Sequence, residues 1–416
     1  MTDPANGDGR RIDTREAARL LGVKPATVYA YVSRGQLTSR REAVGRGSTF
    51  DAAEVEALAR RSRREAAAAP AGDLSVRTSL TLIEGDRYYF RGVDAVELAS
   101  RHSCEEVAEW LWTGTLTPGT RFGAPPQALA AARQAVAALP EHSGPVDRLR
   151  VAVAAAAVVD PLRFDLAEEA VLGSARALVP TLAAALPAAD PARLADAPDE
   201  GPLARQLWPR LTRREPDEQA LRALDLAMAL LVDHDLAAST LAVRVAASAR
   251  AHPYAAVSAG LGALEGPLHG AAGRLAHRML AEVLERGGAA PVVADHLRAG
   301  RRVPGLGHRL YRGEDPRATA LFARLEGLPQ AAAALAAARE VAAVTARQGG
   351  LFANVDLALA VLTLSCGMEP EAGETVFAVA RTAGWIAHAL EEYQERPLRM
   401  RPSGHYQGPR PPQPLP

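Results

Sequence analysis

The strongest constraint on the fold is a helical repeat of apolar residues through most of this 416-residue chain. Segments such as "PVDRLRVAVAAAAVVD" and "EQALRALDLAMALLVDHDL" place apolar residues three and four positions apart, the period of an amphipathic helix. About ten or more such segments between residues 74 and 400 predict a mainly α body built as a bundle of many helices. Only "SLTLIEGDRYYFRG" (79–92) alternates and turns, which predicts a small hairpin.

The bulk chemistry excludes several classes of protein. The 48 basic and 48 acidic residues cancel, so the whole chain is not built to bind polyanions. Its two cysteines, Cys104 and Cys366, lie far apart and form no CxxC pair, which argues against a zinc cluster or a disulfide framework and suits a reducing cytosol. No signal peptide or membrane-spanning run is present in the sequence, so we expect a cytoplasmic protein without a membrane partner.

The N-terminal segment has the pattern of a helix-turn-helix. In "DTREAARLLGVKPATVYAYVSRGQL", Thr14 is expected to cap a first helix, Gly22 to make the turn and Pro25 to open a second helix. Val28, Tyr29 and Val32 are expected to continue the apolar face. "REAVGRGSTFDAAEVEALARR" (41–61) then predicts a β-wing with basic tips and a helix that begins near Ala52.

This order of elements resembles the winged helix-turn-helix domains of the MerR or excisionase type. Residues 1–65 contain thirteen basic and nine acidic residues, an excess of +4. The resemblance implies that the second helix enters the major groove of duplex DNA and that the wing meets phosphates. A small helical docking module with a solvated basic face is the alternative. The resemblance implies DNA contacts within residues 10–50 from Lys24, Thr27, Tyr31, Arg34, Arg40, Arg41 and Arg46.

Four polar sites stand out in the helical body. His234 lies in "DHDLAASTLAVRV", His269 comes just before the last glycine of "GLGALEGPLHG", and His308 lies in "PGLGHRLYRGEDPRA". Asp356 lies two residues after Asn354 in "LFANVDLALAVL". Each lies at an expected helix boundary, where a side chain can point into a cleft. Taken singly, each histidine is more typical of a turn or cap, and Asp356 alone is more typical of a helix N-cap.

Taken together and in this order, these motifs resemble the citrate synthase family. "GPLHG", "PGLGHRLYRGEDPRA", "NVD", "ARTAGWIAHALEE" and "RPSGHYQG" carry the resemblance, which covers about residues 79–408. It implies a large and a small helical domain with the site between them, behind the small winged domain. The expected division is 1–64 for the helix-turn-helix domain, 65–78 for a linker, 79–270 with 371–408 for the large domain, 271–370 for the small domain and 409–416 for a Pro-rich tail.

The resemblance also implies a reaction, in which acetyl-CoA condenses with oxaloacetate to give citrate and CoA. Asp356 matches the family's general base, His308 the donor to the ketone oxygen, and His269 the donor to the thioester oxygen, a neutral ring with one nitrogen fixed by backbone. The matches for binding the substrate carboxylates are His234, Arg317, Arg381 and Arg401. Arginine suits that task because its planar guanidinium pairs bidentately with a carboxylate. The matches for binding CoA are Leu306, Gly307 and Arg312.

Other implications concern partners and specificity. No tightly bound cofactor or metal is expected, and Arg401 is expected to reach the partner subunit's site in a homodimer. The sequence departs from the family pattern at Ala271 after His269, at Ala237 or Ala238, and at Leu357 and Ala358. These changes leave open a 2-methylcitrate synthase that uses propionyl-CoA. Two further hypotheses stay open: a DNA-binding regulator that senses metabolites with a synthase-like body, and a lyase that runs the reaction in reverse.

Overall fold

A computed structural model gives two units, residues 1–77 and 78–416, which we describe separately. The N-terminal unit forms around antiparallel strands and short helices. Strand β1 (Arg11–Asp13) precedes helices α1 (Thr14–Leu21) and α2 (Pro25–Ser33), and strands β2 (Ser39–Arg41) and β3 (Ser48–Asp51) lead into helix α3 (52–58). The described residues are 10–21, 23, 25–33, 37–41, 48–58, 76–192, 200–266, 269–349, 351–400, 407–409 and 413.

The N-terminal sheet has the order β1-β3-β2, and all its pairs are antiparallel. Ile12 lies opposite Phe50, and both side chains are buried with Val28 and Val55 in a core of their own. The hydrophobic residues of three helices therefore share one small core, as the helix-turn-helix pattern predicts. The strands and the helix after the wing also lie where the sequence predicts them.

Two details of the N-terminal prediction are wrong. Asp13, not Thr14, caps α1, because its Oδ1 accepts the backbone N–H of Glu16 at 2.8 Å. Tyr29, expected in the core, is 49% exposed, whereas Tyr31, expected to face DNA, is half-buried against the core. The reason is helical geometry: Val28 and Tyr31 are three residues apart and share a face, while the adjacent Tyr29 is turned away from it.

The C-terminal unit begins with the expected hairpin and is otherwise helical, which confirms the mainly α fold class. Strands β4 (Thr81–Glu84), β5 (Arg87–Phe90) and β6 (Val93–Asp94) form a small antiparallel sheet. The helices follow in chain order: α4 Ala95–Arg101, α5 Cys104–Thr113, α6 Pro126–Ala137, α7 Pro145–Val159, α8 Glu168–Ala185, α9 Leu203–Leu211, α10 Glu218–Leu231, α11 Ala238–Ser248, α12 Pro253–Leu264, α13 Ala272–Arg286, α14 Ala289–Arg298, α15 Pro316–Leu325, α16 Ala332–Gly349, α17 Val355–Ser365 and α18 Ala372–Gln394.

Helix α18 organises the core of this unit. It packs against α5, α8, α10, α11 and α12, and its Trp385 is fully buried. Glycine permits the closest approach: a Cβ on Gly260 of α12 would lie 2.8 Å from Val243 and 2.9 Å from Trp385. The polar motifs come together at four elements of this unit: α15, α17, α18 and the end of α10. The further division into a large and a small domain stays a prediction.

Candidate active site

Asp315 is the residue that joins the elements of the site. As the N-cap of α15, its Oδ1 accepts the backbone N–H of Arg317 at 3.0 Å. The same carboxylate pairs with the Arg317 guanidinium through Nε at 2.9 Å and Nη2 at 2.8 Å. Its Oδ2 also accepts the backbone N–H of Val355, the first residue of α17, at 3.0 Å. One buried carboxylate therefore fixes Arg317 and the start of the helix that carries Asp356.

A second set of contacts fixes the loop that carries His308. The carbonyl of Gly305 accepts the backbone N–H of Asn354, and the backbone N–H of Gly307 donates to the carbonyl of Phe352. The Asn354 side chain donates to the Gly307 carbonyl at 2.9 Å. Gly305 has a φ of +76°, and a Cβ there would lie 2.8 Å from the Cβ of Leu357, so only glycine fits. The glycines of "PGLGH" therefore let this loop lie directly on the start of α17.

The Asp356 carboxylate does not cap a helix. The N-cap of α17 is Asn354, whose Oδ1 accepts the backbone N–H groups of Asp356 and Leu357. Burial raises the pKa of the Asp356 carboxyl to about 6; the positive charge of Arg317 opposes that rise, and the negative charge of Asp315 adds to it. At pH 7 this carboxylate is ionised yet more basic than an ordinary aspartate, which is what a general base requires.

His308 is held with its ring uncharged. Burial lowers its pKa to about 4, and the neighbouring Arg317 charge adds to that effect. The backbone N–H of Leu310 donates to Nδ1 at 3.1 Å, so the ring proton belongs on Nε2. Nε2 lies 3.3 Å from Arg317 Nη2, itself only a donor. Both ring nitrogens therefore face a donor, and the shorter contact, from Leu310, makes Nδ1 the acceptor. A carbonyl or carboxylate oxygen beside Nε2 would then accept from both His308 and Arg317.

His234 lies beside His308, with the two ring centroids 5.1 Å apart. Its Nε2 is 2.7 Å from the hydroxyl of Tyr311, a residue of the His308 loop. Burial lowers the pKa of His234 well below its usual value, and the charges of Arg317 and Arg381 add to this. His234 is therefore neutral at pH 7 and lies among the same cations as His308.

His269 is oriented by a serine on α11. Its Nε2 lies 2.8 Å from Oγ of Ser239, whose side chain is fully buried. When the hydroxyl donates, Nε2 accepts and the ring proton lies on Nδ1, where it can be donated onward. This side-chain contact comes in addition to the predicted backbone contact, since a backbone hydrogen bond also acts on the ring and opposes the fall of its pKa. Burial lowers the pKa of His269, and Arg381 adds to that effect.

Arg381 of α18 completes the described cations of the site. It is 1% exposed, and its Nε donates to the Leu231 carbonyl at 2.8 Å. Its guanidinium lies 4.5 Å from the ring centre of Phe377, and that ring meets the edge of His269 with centroids 6.0 Å apart. Burial lowers the pKa of Arg381 to about 10, and Asp233 opposes the change, so Arg381 stays charged at pH 7.

The predicted CoA residues separate into two places. Leu306 and Gly307 line a cavity of about 660 Å³, whose wall also carries Arg301, Arg302 and Arg309. The structure does not bring Arg312 into this cavity. Its side chain is exposed, and its backbone N–H donates to Asp86 in the turn of the β4–β5 hairpin at 3.2 Å. That turn holds the backbone and directs the Arg312 side chain to solvent, so other arginines face the cavity.

Several predicted residues lie outside the described part of the chain. Arg401 of "RPSGHYQG" is one, and Lys24, Arg34, Arg46 and the side chain of Arg41 are the others. Thr27 is half-buried on α2, and Arg40 is exposed on β2.

Sequence reasoning missed four residues that touch the site: Asp315, Tyr311, Ser239 and Asn354. All four lie in the same short motifs as residues that the sequence did predict for the site. Over the described ranges, no group of three or more histidines, cysteines and acids could hold a metal ion, and no helix is long and apolar enough to cross a membrane.

The fold and the site define a helical enzyme with a basic carboxylate, neutral histidine donors and buried arginines in one cleft. Comparison with known proteins agrees. The family model "Citrate synthase, C-terminal domain" matches residues 71–403, and "Helix-turn-helix domain" matches residues 12–63. The citrate synthase of Haloferax volcanii is 33% identical over 359 residues, which covers 81% of this chain and 94% of that protein.

Solved structures show the same likeness. Citrate synthase from Pyrobaculum aerophilum aligns with a TM-score of 0.69 at 26% identity, covering 82% of this chain and 92% of that one. A Thermoplasma acidophilum citrate synthase, solved with carboxymethyl coenzyme A and oxaloacetate, aligns with a TM-score of 0.65 at 25% identity, covering 83% and 97%. The chain belongs to the citrate synthase family, and it is a citrate synthase-type enzyme with an N-terminal helix-turn-helix domain.

Replacing Asp315 with alanine tests the role of this carboxylate. Asp315→Ala leaves the Arg317 charge buried without its partner, and we expect a loss of about 3–5 kcal/mol in the free energy of unfolding. Glu97→Ala is the control, because Glu97 pairs with Arg101 on the surface, with side chains 60% and 70% exposed. Urea denaturation followed by circular dichroism measures both variants. Equal small losses in the two would contradict the role given to Asp315.

Proposed function

We propose that the enzyme condenses acetyl-CoA with oxaloacetate to give citrate and CoA. The observation that carries this proposal is the placement of the Asp356 carboxylate, which no helix cap uses and whose burial raises its pKa to about 6. Two histidines with lowered pKa values, His269 and His308, accompany it. A base and neutral donors are what removal of a weakly acidic C–H proton next to a thioester carbonyl demands.

Oxaloacetate binding is assigned to the buried cations. Arg317 and Arg381 are 3% and 1% exposed, so a dicarboxylate that pairs with them is stripped of water and held in one orientation. His234 adds a contact to a carboxylate, and Tyr311 holds its ring through the 2.7 Å contact. Arg401 is proposed as the third arginine. A dianion would neutralise two charges that the fold keeps out of water.

The first chemical step is enolisation of the acyl group. The Asp356 carboxylate takes a proton from the methyl group of acetyl-CoA, and His269 donates a hydrogen bond to the thioester oxygen, where negative charge grows. A neutral histidine suits this role because its N–H stabilises the oxygen without protonating the base beside it. The Ser239 hydroxyl fixes the ring that does this.

The second step forms the carbon–carbon bond. The enolate carbon attacks the ketone carbon of oxaloacetate, and the ketone oxygen becomes a hydroxyl as it takes the proton of His308 Nε2. The proton that Asp356 removed from the methyl group then restores the neutral ring of His308. The N–H of Leu310 on Nδ1 keeps that proton on the correct nitrogen. Water then attacks the thioester carbonyl and the C–S bond breaks. One proton of the water goes to the CoA sulfur and the other to solvent, and the CoA thiol and citrate leave.

The cavity beside the His308 loop is proposed to hold CoA. Arg301, Arg302 and Arg309 give it three cations, which suit the phosphates of the nucleotide, and backbone at Leu306 and Gly307 can approach the adenine. The acyl-CoA itself is a substrate, and we propose no tightly bound cofactor. Propionyl-CoA is the alternative acyl donor, since one methylene changes binding by only about 1–3 kcal/mol.

Replacing Asp356 with asparagine tests the condensation directly. We expect kcat for CoA release from acetyl-CoA plus oxaloacetate to fall by a factor of about 10²–10⁴, because the base is lost while the shape is kept. Asp225→Asn is a matched control: burial also raises its pKa to about 6, but it accepts the backbone N–H of Cys104 at the start of α5, away from the site. Its activity should equal that of the wild type.

The same assay distinguishes the acyl donor and the type of activity. A wild-type enzyme that releases CoA faster with propionyl-CoA is a 2-methylcitrate synthase. A wild-type protein that releases no CoA with either thioester does not catalyse the condensation. That result would favour the metabolite-sensing regulator.

For the N-terminal unit we propose binding to duplex DNA. Its support is the helix-turn-helix match, the +4 charge of residues 1–65 and the exposed Arg40 on β2. Helix α2 would lie in the major groove, with the strands β2 and β3 against phosphates. The half-buried Tyr31 is left out of the proposed contacts because it packs on the domain core.

Deletion of residues 1–65 tests this second activity. The full chain should shift a mixed duplex DNA in a gel, with an affinity that falls steeply as salt rises, and the deleted chain should not. CoA release by the deleted chain is the control and should be unchanged. A shift that persists after the deletion would place DNA binding elsewhere.

We further propose that the enzyme is a cytoplasmic homodimer. Three large apolar side chains at the junction of α7 and α8 are exposed, Val158 by 73%, Leu162 by 67% and Phe164 by 68%. Of the three, Leu162 also lines an apolar cavity of about 390 Å³. Such a surface fits a subunit interface. The two cysteines are free and buried, which suits a reducing compartment.

A further inference from the structure

Residues 231–234, which end in His234, lie along one face of α18. Three α18 residues, Arg381, Gly384 and His388, share that face. Arg381 donates to the carbonyl of Leu231 at 2.8 Å, and a Cβ on Gly384 would collide with the carbonyl oxygen of Val232. His388 Nε2 lies 3.3 Å from Oδ2 of Asp233. The face therefore has a polar contact at each end and no space between them.

The hydrogen bonds around His388 set its tautomer. Arg244 Nη1 lies 2.8 Å from Nδ1 of His388, and an arginine can only donate. Nδ1 is therefore the acceptor, and the proton lies on Nε2, where it is donated to Asp233. His388, Arg244 and Asp233 are at most 1% exposed, so water does not compete with these contacts.

The same network extends to the segment that precedes Arg401. Arg244 Nε donates to Oε2 of the fully buried Glu392 at 3.2 Å. Arg399 pairs with that carboxylate through Nε at 2.7 Å and Nη2 at 2.6 Å. The chain of contacts thus runs from Arg399 through Glu392, Arg244 and His388 to Asp233.

Asp233 is a potential competitor for a substrate-binding arginine. It lies near enough to Arg381 that each charge shifts the pKa of the other group. The hydroxyl of Thr81 donates to Asp233 Oδ2 at 2.5 Å, on the oxygen that His388 also contacts. These two donors hold the carboxylate in place; without them it is free to turn toward the Arg381 guanidinium.

We propose that His388 is a positioning residue for oxaloacetate binding, which holds Asp233 away from Arg381 and keeps His234 and Arg381 facing the substrate. The inference rests on the proposed function, since it concerns the same dicarboxylate site. His388 itself touches no substrate in this proposal. It differs from a residue that only stabilises the fold, because its loss should weaken the binding of one substrate selectively.

Two substitutions at His388 separate these roles. His388→Gln has an amide NH₂ that still reaches Asp233, whereas His388→Asn keeps an acceptor for Arg244 but falls short of Asp233. We expect the affinity for oxaloacetate, measured by calorimetry, to fall about tenfold or more in His388→Asn and less than threefold in His388→Gln. The KM for acetyl-CoA should change less than threefold in both.

His277→Asn is the matched control. His277 is also a buried histidine, bonded through Nδ1 to Thr363 Oγ1 at 2.8 Å, but it lies on α13 away from residues 231–234. We expect it to lower the thermal midpoint as His388→Asn does, with unchanged oxaloacetate affinity. If His388→Asn does not fold, Thr81→Val replaces it, because it removes the other hydrogen bond to Asp233 and should cause the same selective loss.

The outcomes are distinct. Wild-type enzyme that does not bind oxaloacetate contradicts the proposed function and this inference with it. Wild-type enzyme that binds while His388→Asn binds equally well contradicts the inference alone. So does a His388→Gln variant as weak as His388→Asn, or an equal loss of affinity in His277→Asn.

Discussion

The site depends on one buried ion pair, Asp315 with Arg317. Asp315 caps α15, holds the guanidinium through two hydrogen bonds and reaches the first N–H of α17. A single carboxylate thereby sets the distance between the arginine assigned to oxaloacetate and the helix that carries the base. The same arginine lies beside His308 and lowers its pKa. A substitution at Arg317 alone would also leave Asp315 buried without a partner, so its effect on binding cannot be separated from its effect on the fold.

Some charged groups of the site are neutralised by neighbouring side chains, and others are available to pair with a ligand. Asp315 neutralises Arg317 in part, whereas His388 and Thr81 hold the Asp233 carboxylate away from the Arg381 guanidinium. The histidines are kept uncharged by burial among these cations. Burial without an ion pair of its own gives Asp356 a raised pKa instead. Groups whose pKa values are moved apart in one cleft are typical of acid–base catalysis.

Much of the fold and many of the site residues could be predicted from the sequence, because helical periodicity and local motifs depend on neighbouring residues. The mainly α fold class, the helix-turn-helix and the family were predicted and are confirmed. Contacts between residues that are distant in sequence could not be predicted: Ser239 meets His269, 30 residues away, and Tyr311 lies 77 residues from His234. The backbone contact of Arg312 with Asp86, 226 residues away, could not be predicted for the same reason, and the assignment of Arg312 to CoA stays a prediction.

The central claim is that Asp356 acts as a base with a raised pKa. Its most direct test is the pH dependence of kcat/KM for acetyl-CoA at saturating oxaloacetate, measured from pH 5 to 8 with wild-type enzyme. The carboxylate is the active form, so the account predicts a plateau above pH 7 and a tenfold fall per pH unit below an apparent pKa of about 6. A profile that stays level down to pH 5 would contradict it, since the base would then ionise as an ordinary aspartate does.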